Sequence, residues 1–290
     1  MAITASMVKE LRQRTGAGMM ECKKVLTATN GDIESAIEAL RIKGVAAAEK
    51  KAGRIVAEGI IVSQSNGNVG AMVEVNCETD FVAKDDLFKG FCATLAETVL
   101  ANDITDVDAL AAVKLDSGVT VEQARQELIG KIGENISLRR FVRYAAEGAA
   151  VSNYLHGSRI GVMVQLEGGS DELGRDIAMH IAASNPLCVS EDEMDPAVLA
   201  KESDIIVAQA RESGKPDDII ERMISERIKK FLKKNTLLGQ PFVKNPDQTV
   251  AQLLDGAGAR VRQMVRFEVG EGIEKKRDDF VAEVMAQAGI

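Results

Sequence analysis

Gly70-Ala-Met-Val-Glu-Val-Asn76 and Gly161-Val-Met-Val-Gln-Leu-Glu167 can be laid over each other residue for residue, and the reading of the fold follows from that overlay. In the first stretch Ala71, Val73 and Val75 take one face and Met72, Glu74 and Asn76 the other. In the second, Val162, Val164 and Leu166 oppose Met163, Gln165 and Glu167. A period of two predicts half-buried strands. A helix follows each strand, from near Leu87 and near Leu173, so the chain is expected to be α+β, with two related strand-helix subdomains at its core. The crossovers differ. The second uses Gly168-Gly-Ser-Asp-Glu172, whereas the first uses Cys77-Glu-Thr-Asp-Phe-Val-Ala-Lys-Asp-Asp86, five residues longer for the same geometric task.

The extra length contains Phe81. The stripe of the following helix reads Phe88, Phe91, Leu95, Val99, and extending it backward reaches Lys84, not Phe81. A hydrophobic staple fails as well. With Asp80 or Asp85 as the N-cap, the residue before the cap is Thr79 or Lys84, and neither is apolar. Thr79-Asp80-Phe81-Val82 is therefore expected to present an exposed aromatic tip, which implies a pocket in a partner.

Upstream of the first strand, Ile60-Ile-Val-Ser63 returns through Ser65-Asn66-Gly67-Asn68 as a tight hairpin. Downstream, residues 101–115 read as a connection, 120–129 as a helix and 141–144 as a strand. The second repeat starts near Val151 and turns at His156-Gly157-Ser158. His156, at the tip, is the histidine placed for contact with another molecule, while His180, among Ala178, Ile181 and Ala182, reads as a packed structural residue. Residues 196–232 hold two helical patterns flanking Ser213-Gly-Lys-Pro216. There Leu199, Ile205, Ile206 and Ala210 are expected to face Ile219, Ile220, Met223, Ile224, Ile228 and Phe231 in an antiparallel hairpin suited to self-association. A short helix over 249–254 and a strand over 264–269 follow; that strand rejoins the second repeat and makes the hairpin an insertion. Asp278 or Asp279 opens a final amphipathic helix carrying Phe280, Val281, Val284 and Met285.

The first forty-odd residues show three helical stripes: Ile3, Met7, Val8, Leu11, capped by Thr4 or Ser6; Cys22, Val25, Leu26; and Ile33, Ala36, Ile37, Leu40, capped by Asp32. Met20 lies off the apolar face of the second stripe, and reads either as exposed or as filling an irregular gap near the chain turn. Residues 46–54, basic and alanine-rich, read as a solvated helix end and linker. The expected layout is a three-helix module with linker over 1–54, a first core subdomain over 55–147, and a second over 148–188 plus 236–270. The helical hairpin is inserted at 189–235, and a C-terminal helical module spans 271–290.

Composition narrows the function. A formal net charge of -8 and an absence of Trp argue against direct nucleic-acid binding. The segment 1–54 nonetheless holds more Lys and Arg than Asp and Glu, which suits an acidic protein surface. Cys22, Cys77, Cys92 and Cys188 lack metal-ligand spacing and read as reduced thiols, and neither a cofactor motif nor a nucleophile-base spacing appears. Thr15-Gly-Ala-Gly18 lacks the strand and spacing of a phosphate loop. With no apolar run of membrane-spanning length and no targeting pattern at its start, the chain is expected in the cytoplasm, away from membranes.

Two resemblances add to this reading. Residues 30–40, Asn-Gly-Asp-Ile-Glu-Ser-Ala-Ile-Glu-Ala-Leu, resemble the last helix of ubiquitin-associated domains. The whole chain resembles the bacterial elongation factor Ts family, through Thr15-Gly-Ala-Gly-Met-Met-Glu-Cys-Lys-Lys24, Lys50-Lys-Ala-Gly-Arg54, Glu74-Val-Asn-Cys-Glu-Thr-Asp-Phe-Val-Ala83, His156 through Gly161, Gln240-Pro-Phe-Val243 and Glu268-Val-Gly-Glu-Gly-Ile273. The resemblance implies a guanine-nucleotide exchange factor, not an enzyme, that binds elongation factor Tu in its GDP-bound and nucleotide-free forms. By the same resemblance Thr79, Asp80, Phe81 and Val82 displace the partner's magnesium, Met19 and Met20 hold its nucleotide-binding domain, and His156 with Gly157 touch a further domain. The alternative reading is a helical adaptor with a ubiquitin-associated-like module, which explains residues 1–44 and leaves the unequal repeats without a purpose.

Overall fold

The computed structural model describes residues 2–145, 147–212 and 216–274. Ser213, Gly214 and Lys215 of the expected hairpin turn lie outside the described residues, as do the final amphipathic helix and the C-terminal module from residue 275 on. The described residues divide into two compact units: residues 2–60, 73–141 and 269–274 in the first, residues 61–72 and 142–268 in the second.

The first unit opens with α1 (Ala5–Thr15), α2 (Met19–Ala28) and α3 (Ile33–Lys51). Thr4 caps α1 by accepting the Met7 N–H at 3.3 Å, and Asp32 caps α3 by accepting the Ser35 N–H at 2.6 Å, each satisfying an orphan donor of a first turn. The three helices close around Leu11, Cys22, Val25, Leu26 and Ala36. Along the chain strands β1 (Glu58–Asn66) and β2 (Val69–Cys77) follow, their residues 61–72 belonging to the second unit, then α4 (Asp80–Ala83), α5 (Asp86–Ala101), α6 (Val107–Ala112), α7 (Val121–Ile132) and β3 (Ile136–Ala145), which passes into the second unit at residue 142; the strands form one sheet in the order β1-β2-β3. Two differences from the sequence reading stand out here. A short helix, α6, capped by Asp106 on the Ala109 N–H at 2.8 Å, occupies part of the expected connection. The other concerns residues 46–54: α3 runs to Lys51 as the expected helix end, but that end is packed and not solvated, because α7 gives it a surface to lie on and Ala48 is buried. That packing is close. A Cβ on Gly130 of α7 would stand 3.2 Å from the Gly44 Cα of α3.

The second unit contains β4 (Ala150–His156), β5 (Ile160–Glu167), α8 (Asp171–Ser184), the hairpin helices α9 (Pro196–Glu212) and α10 (Asp217–Asn235), a small ladder of β6 (Pro241–Phe242) and β7 (Asn245–Thr249), α11 (Val250–Gly256) and β8 (Arg260–Glu268). The strands run antiparallel in the order β4-β5-β8, so everything between β5 and β8 is inserted between two neighbours in one sheet. Val162, Val164 and Leu166 of β5 meet Ile177, Ala178 and Ile181 of α8, with Val250, Leu254, Val261 and Phe242 completing the core.

The expectation of half-buried strands is corrected: β2 and β5 are buried on both faces along nearly their whole length. Glycine makes the second face packable. A Cβ on Gly70 would stand 2.8 Å from the Met163 Sδ, and a Cβ on Gly161 would stand 2.7 Å from the Met72 Sδ, so each repeat's glycine receives the other's methionine. The backbone repeats the exchange. The Val151 N–H donates to Gly67 O at 3.0 Å and the Ile61 N–H to Ser158 O at 2.8 Å, joining each hairpin tip to a strand of the sister repeat. Two smaller corrections concern helix faces. The buried stripe of α5 is Phe88, Cys92, Leu95, Ala96 and Val99, with Phe91 at its edge. In the α9–α10 hairpin Ile206, Ala210 and Ile220 are buried while Ile205 and Ile219 are exposed, because adjacent helical residues diverge and cannot both face the partner helix.

Candidate functional site

The longer crossover folds into α4, a single turn set between two caps. Thr79, extended at φ -125°, accepts the Val82 N–H on its hydroxyl at 3.4 Å. Lys84 then leaves the turn, and Asp85 caps α5 by accepting the N–H groups of Leu87 and Phe88 at 2.8 and 3.2 Å. Thr79, rather than Asp80, is therefore the cap of α4. In the shorter crossover of the second repeat Ser170 caps α8 directly, with no such turn before it.

One turn of helix has an inner and an outer side. Val82 and Ala83 are buried, while Asp80 is exposed and Phe81 stands 80% exposed. Lys84 lies beside them: its Nζ is 2.7 Å from Asp80 Oδ2 and 6.0 Å from the centre of the Phe81 ring. The Lys84 hydrogen bond holds the Asp80 carboxyl below its ordinary range, so Asp80 presents a charge beside an uncovered ring.

The turn is held from below. The Thr79 N–H donates to Glu134 Oε2 at 3.0 Å and the Thr79 hydroxyl to Glu134 Oε1 at 2.7 Å, while the Cys77 thiol donates to Thr79 O at 3.2 Å. Glu78, the residue before, accepts the Asn135 N–H at 2.6 Å and pairs with Arg54 at 3.3 Å. None of Glu134, Asn135 or Glu78 was singled out in the sequence; the only signal was a polar Glu-Asn pair directly after Gly133, where α7 gives way to β3. Burial pushes the Cys77 thiol up to about 12, so it stays a neutral donor and no nucleophile.

Met19 and Met20 occupy the first turn of α2, 60% and 76% exposed, which decides for exposure over gap-filling at Met20. His156 is exposed at the end of β4 in the second unit, its Nδ1 3.3 Å from the Tyr154 hydroxyl, and Gly157 takes a left-handed φ of 61° in the turn that follows. Thus the structure gathers Thr79 to Val82, Met19 and Met20 into the first unit, and His156 with Gly157 into the second. His180, by contrast, is wholly buried and hydrogen-bonded. Among the described residues no group of three or more His, Cys, Asp or Glu could hold a metal ion, and no helix is long and apolar enough to cross a membrane.

The sequence profile of the elongation factor TS family matches residues 78–271, from the residue before Thr79 through the turn after β8. The chain belongs to the elongation factor Ts family. It is similar to the elongation factor Ts of Alkalilimnicola ehrlichii, 58% identical over 290 residues and 99% of both chains, and to that of Thioalkalivibrio sulfidiphilus, 60% identical over 291 residues and 99% of both. That of Legionella pneumophila strain Paris is 55% identical over 287 residues, 98% of each. Membership of this family makes the chain a translation elongation factor of the nucleotide-exchange type.

Proposed function

We propose that the chain promotes release of GDP from elongation factor Tu by inserting Phe81 near the nucleotide site and displacing the magnesium ion bound there. The observation that carries this reading is the 80% exposure of Phe81 on a helical turn that the sister repeat lacks. A phenylalanine left in water by its own fold gains by burial elsewhere, about 1.5 to 3 kcal/mol, equivalent to about one to two decades in the partner's open-closed equilibrium. Magnesium neutralises phosphate charge, so moving its ligands removes much of what holds a diphosphate. Asp80, paired with Lys84, stands beside the ring and enters the partner with it. Met19 and Met20 offer apolar, adaptable surface for the partner's nucleotide-binding domain, and His156 with Gly157 reach a further domain. The exposed Ile205 and Ile219 suit a second copy packing along the hairpin.

Exchange needs no covalent step. If the factor weakens nucleotide binding by some ratio, nucleotide weakens factor binding by the same ratio, so a ternary complex forms and then loses either ligand. The test is stopped-flow release of a fluorescent GDP analogue from elongation factor Tu. Phe81→Ala is expected to lower the maximal release rate by about ten- to a hundredfold while the variant still binds the partner. A rate equal to that of the unmodified chain removes Phe81 from the mechanism.

A further inference from the structure

Glu134 makes two hydrogen bonds to Thr79, one from the backbone N–H at 3.0 Å and one from the hydroxyl at 2.7 Å, and that hydroxyl is the cap of α4. From this geometry we infer that Glu134 is a positioning residue for exchange: it sets where the turn bearing Phe81 stands, and this inference rests on the reading of Phe81 above.

The corner that carries Glu134 reaches further than the turn. Gly133, left-handed at φ 87°, ends α7; Glu134 then holds Thr79, and Asn135 holds Glu78 through its N–H at 2.6 Å. The Asn135 side-chain amide also donates to Arg54 O at 3.1 Å and Ala52 O at 3.4 Å, where the chain leaves α3. One corner therefore fastens both the base of α4 and the end of α3. Helix α3 lies on α7 at glycine distance and belongs to the three-helix module that displays Met19 and Met20. A partner held by the methionines thus meets Phe81 at a set position, and the corner defines it.

Position matters more than affinity here. A single helical turn of four residues cannot hold itself in place, because too few internal hydrogen bonds form to offset the cost of ordering it. Without Glu134, Thr79 keeps its bond to Val82 and the bond from the Cys77 thiol but loses both bonds to the corner after α7, so Phe81 remains exposed on a turn that is less firmly placed. A misplaced wedge still binds and fails to open the site, so the loss falls on the maximal rate and not on the concentration of factor needed to reach half of it.

The experiment uses the full chain and the GTPase partner loaded with a fluorescent GDP analogue, with release followed over a range of factor concentrations. Glu134→Ala is expected to lower the maximal rate about tenfold and to leave the half-saturating concentration within about twofold. Glu134→Gln, which keeps one acceptor, falls between the two. Combined with Phe81→Ala, Glu134→Ala is expected to cost nothing more, because a wedge without its ring has no position to lose. Urea unfolding checks that each variant is folded; should Glu134→Ala unfold, Glu134→Gln carries the same comparison. If Phe81→Ala is slow and the folded Glu134 variant is not, or if the two losses multiply, the positioning role is overturned while the wedge stands. If Phe81→Ala itself releases at the ordinary rate, both fall.

Discussion

Glu74 puts a carboxylate in the middle of β2 with none of its surface exposed. Its Oε1 accepts from Arg139 at 2.8 Å and from the Gly270 N–H at 2.9 Å, and its Oε2 from Arg140 at 2.6 Å. Both arginines go on to Glu271, Arg139 at its carbonyl and Arg140 at its carboxylate, so one buried side chain fixes β3 and the turn after β8 together. Burial by itself would raise the pKa of Glu74; the bonds from Gly270, Arg139 and Arg140 outweigh it and hold the carboxyl below its ordinary range. Removing the Glu74 charge takes from both arginines the buried carboxylate they share and leaves them with their weaker, more exposed contacts at Glu271. Glu74→Gln is expected to lower the free energy of unfolding by about 3 kcal/mol, measured by urea titration at neutral pH. The sign with pH follows from the lowered value: the stabilisation is complete above the ordinary glutamate range and is lost as pH falls through the folded-state value. The sequence placed Glu74 on one strand face with Met72 and Asn76 and no more, because alternation reports polarity and not what the polar face meets.

Among elements, the inserted hairpin returns to its sheet through one histidine. The Val243 N–H donates to His180 Nδ1 at 3.2 Å, which leaves the proton on Nε2 to donate to Gln240 Oε1 at 2.9 Å, and the Gln240 amide donates to Lys234 O in the last turn of α10 at 2.7 Å. Phe242 lies against the imidazole with ring centres 5.9 Å apart. Burial pushes the His180 pKa below its ordinary value of 6.5, and only the neutral ring can accept from Val243. The unfolded chain binds the proton more readily, so stability falls as pH drops below about 6.5 and levels off beneath the folded-state value. Urea midpoints at stepped pH are expected to show this, and His180→Phe, whatever its absolute stability, is expected to lose that part of the slope. The structural role of His180 was legible from its apolar neighbours in sequence. The bond to Gln240 was not, since it spans 60 residues.

At the scale of the whole molecule, local rules carried the reading as far as local forces reach. The cap at Asp32 and the exposure of Phe81 were readable from spacing of a few residues, and the caps at Thr4 and Asp85 were each narrowed to one of two residues. Glu134 was not: it bonds a partner 55 residues away, and no periodicity encodes that. The same holds for the second faces of β2 and β5, which are buried because Gly70 and Gly161 admit methionines from the sister strand. Gly161→Ala would set its new carbon 2.5 Å from the Ile61 Cγ2 and is expected to cost about 1 to 3 kcal/mol in urea unfolding, with Gly70→Ala costing a similar amount by the reciprocal contact. This mutual seating also bears on synthesis. The ribosome releases residues 61–72 long before 151–163, so the earlier half emerges with a bare apolar face that nothing yet made can cover. Polypeptides cut short in that interval would expose a sticky half-sheet and enter aggregates or proteolysis, instead of persisting as weak versions of the finished factor.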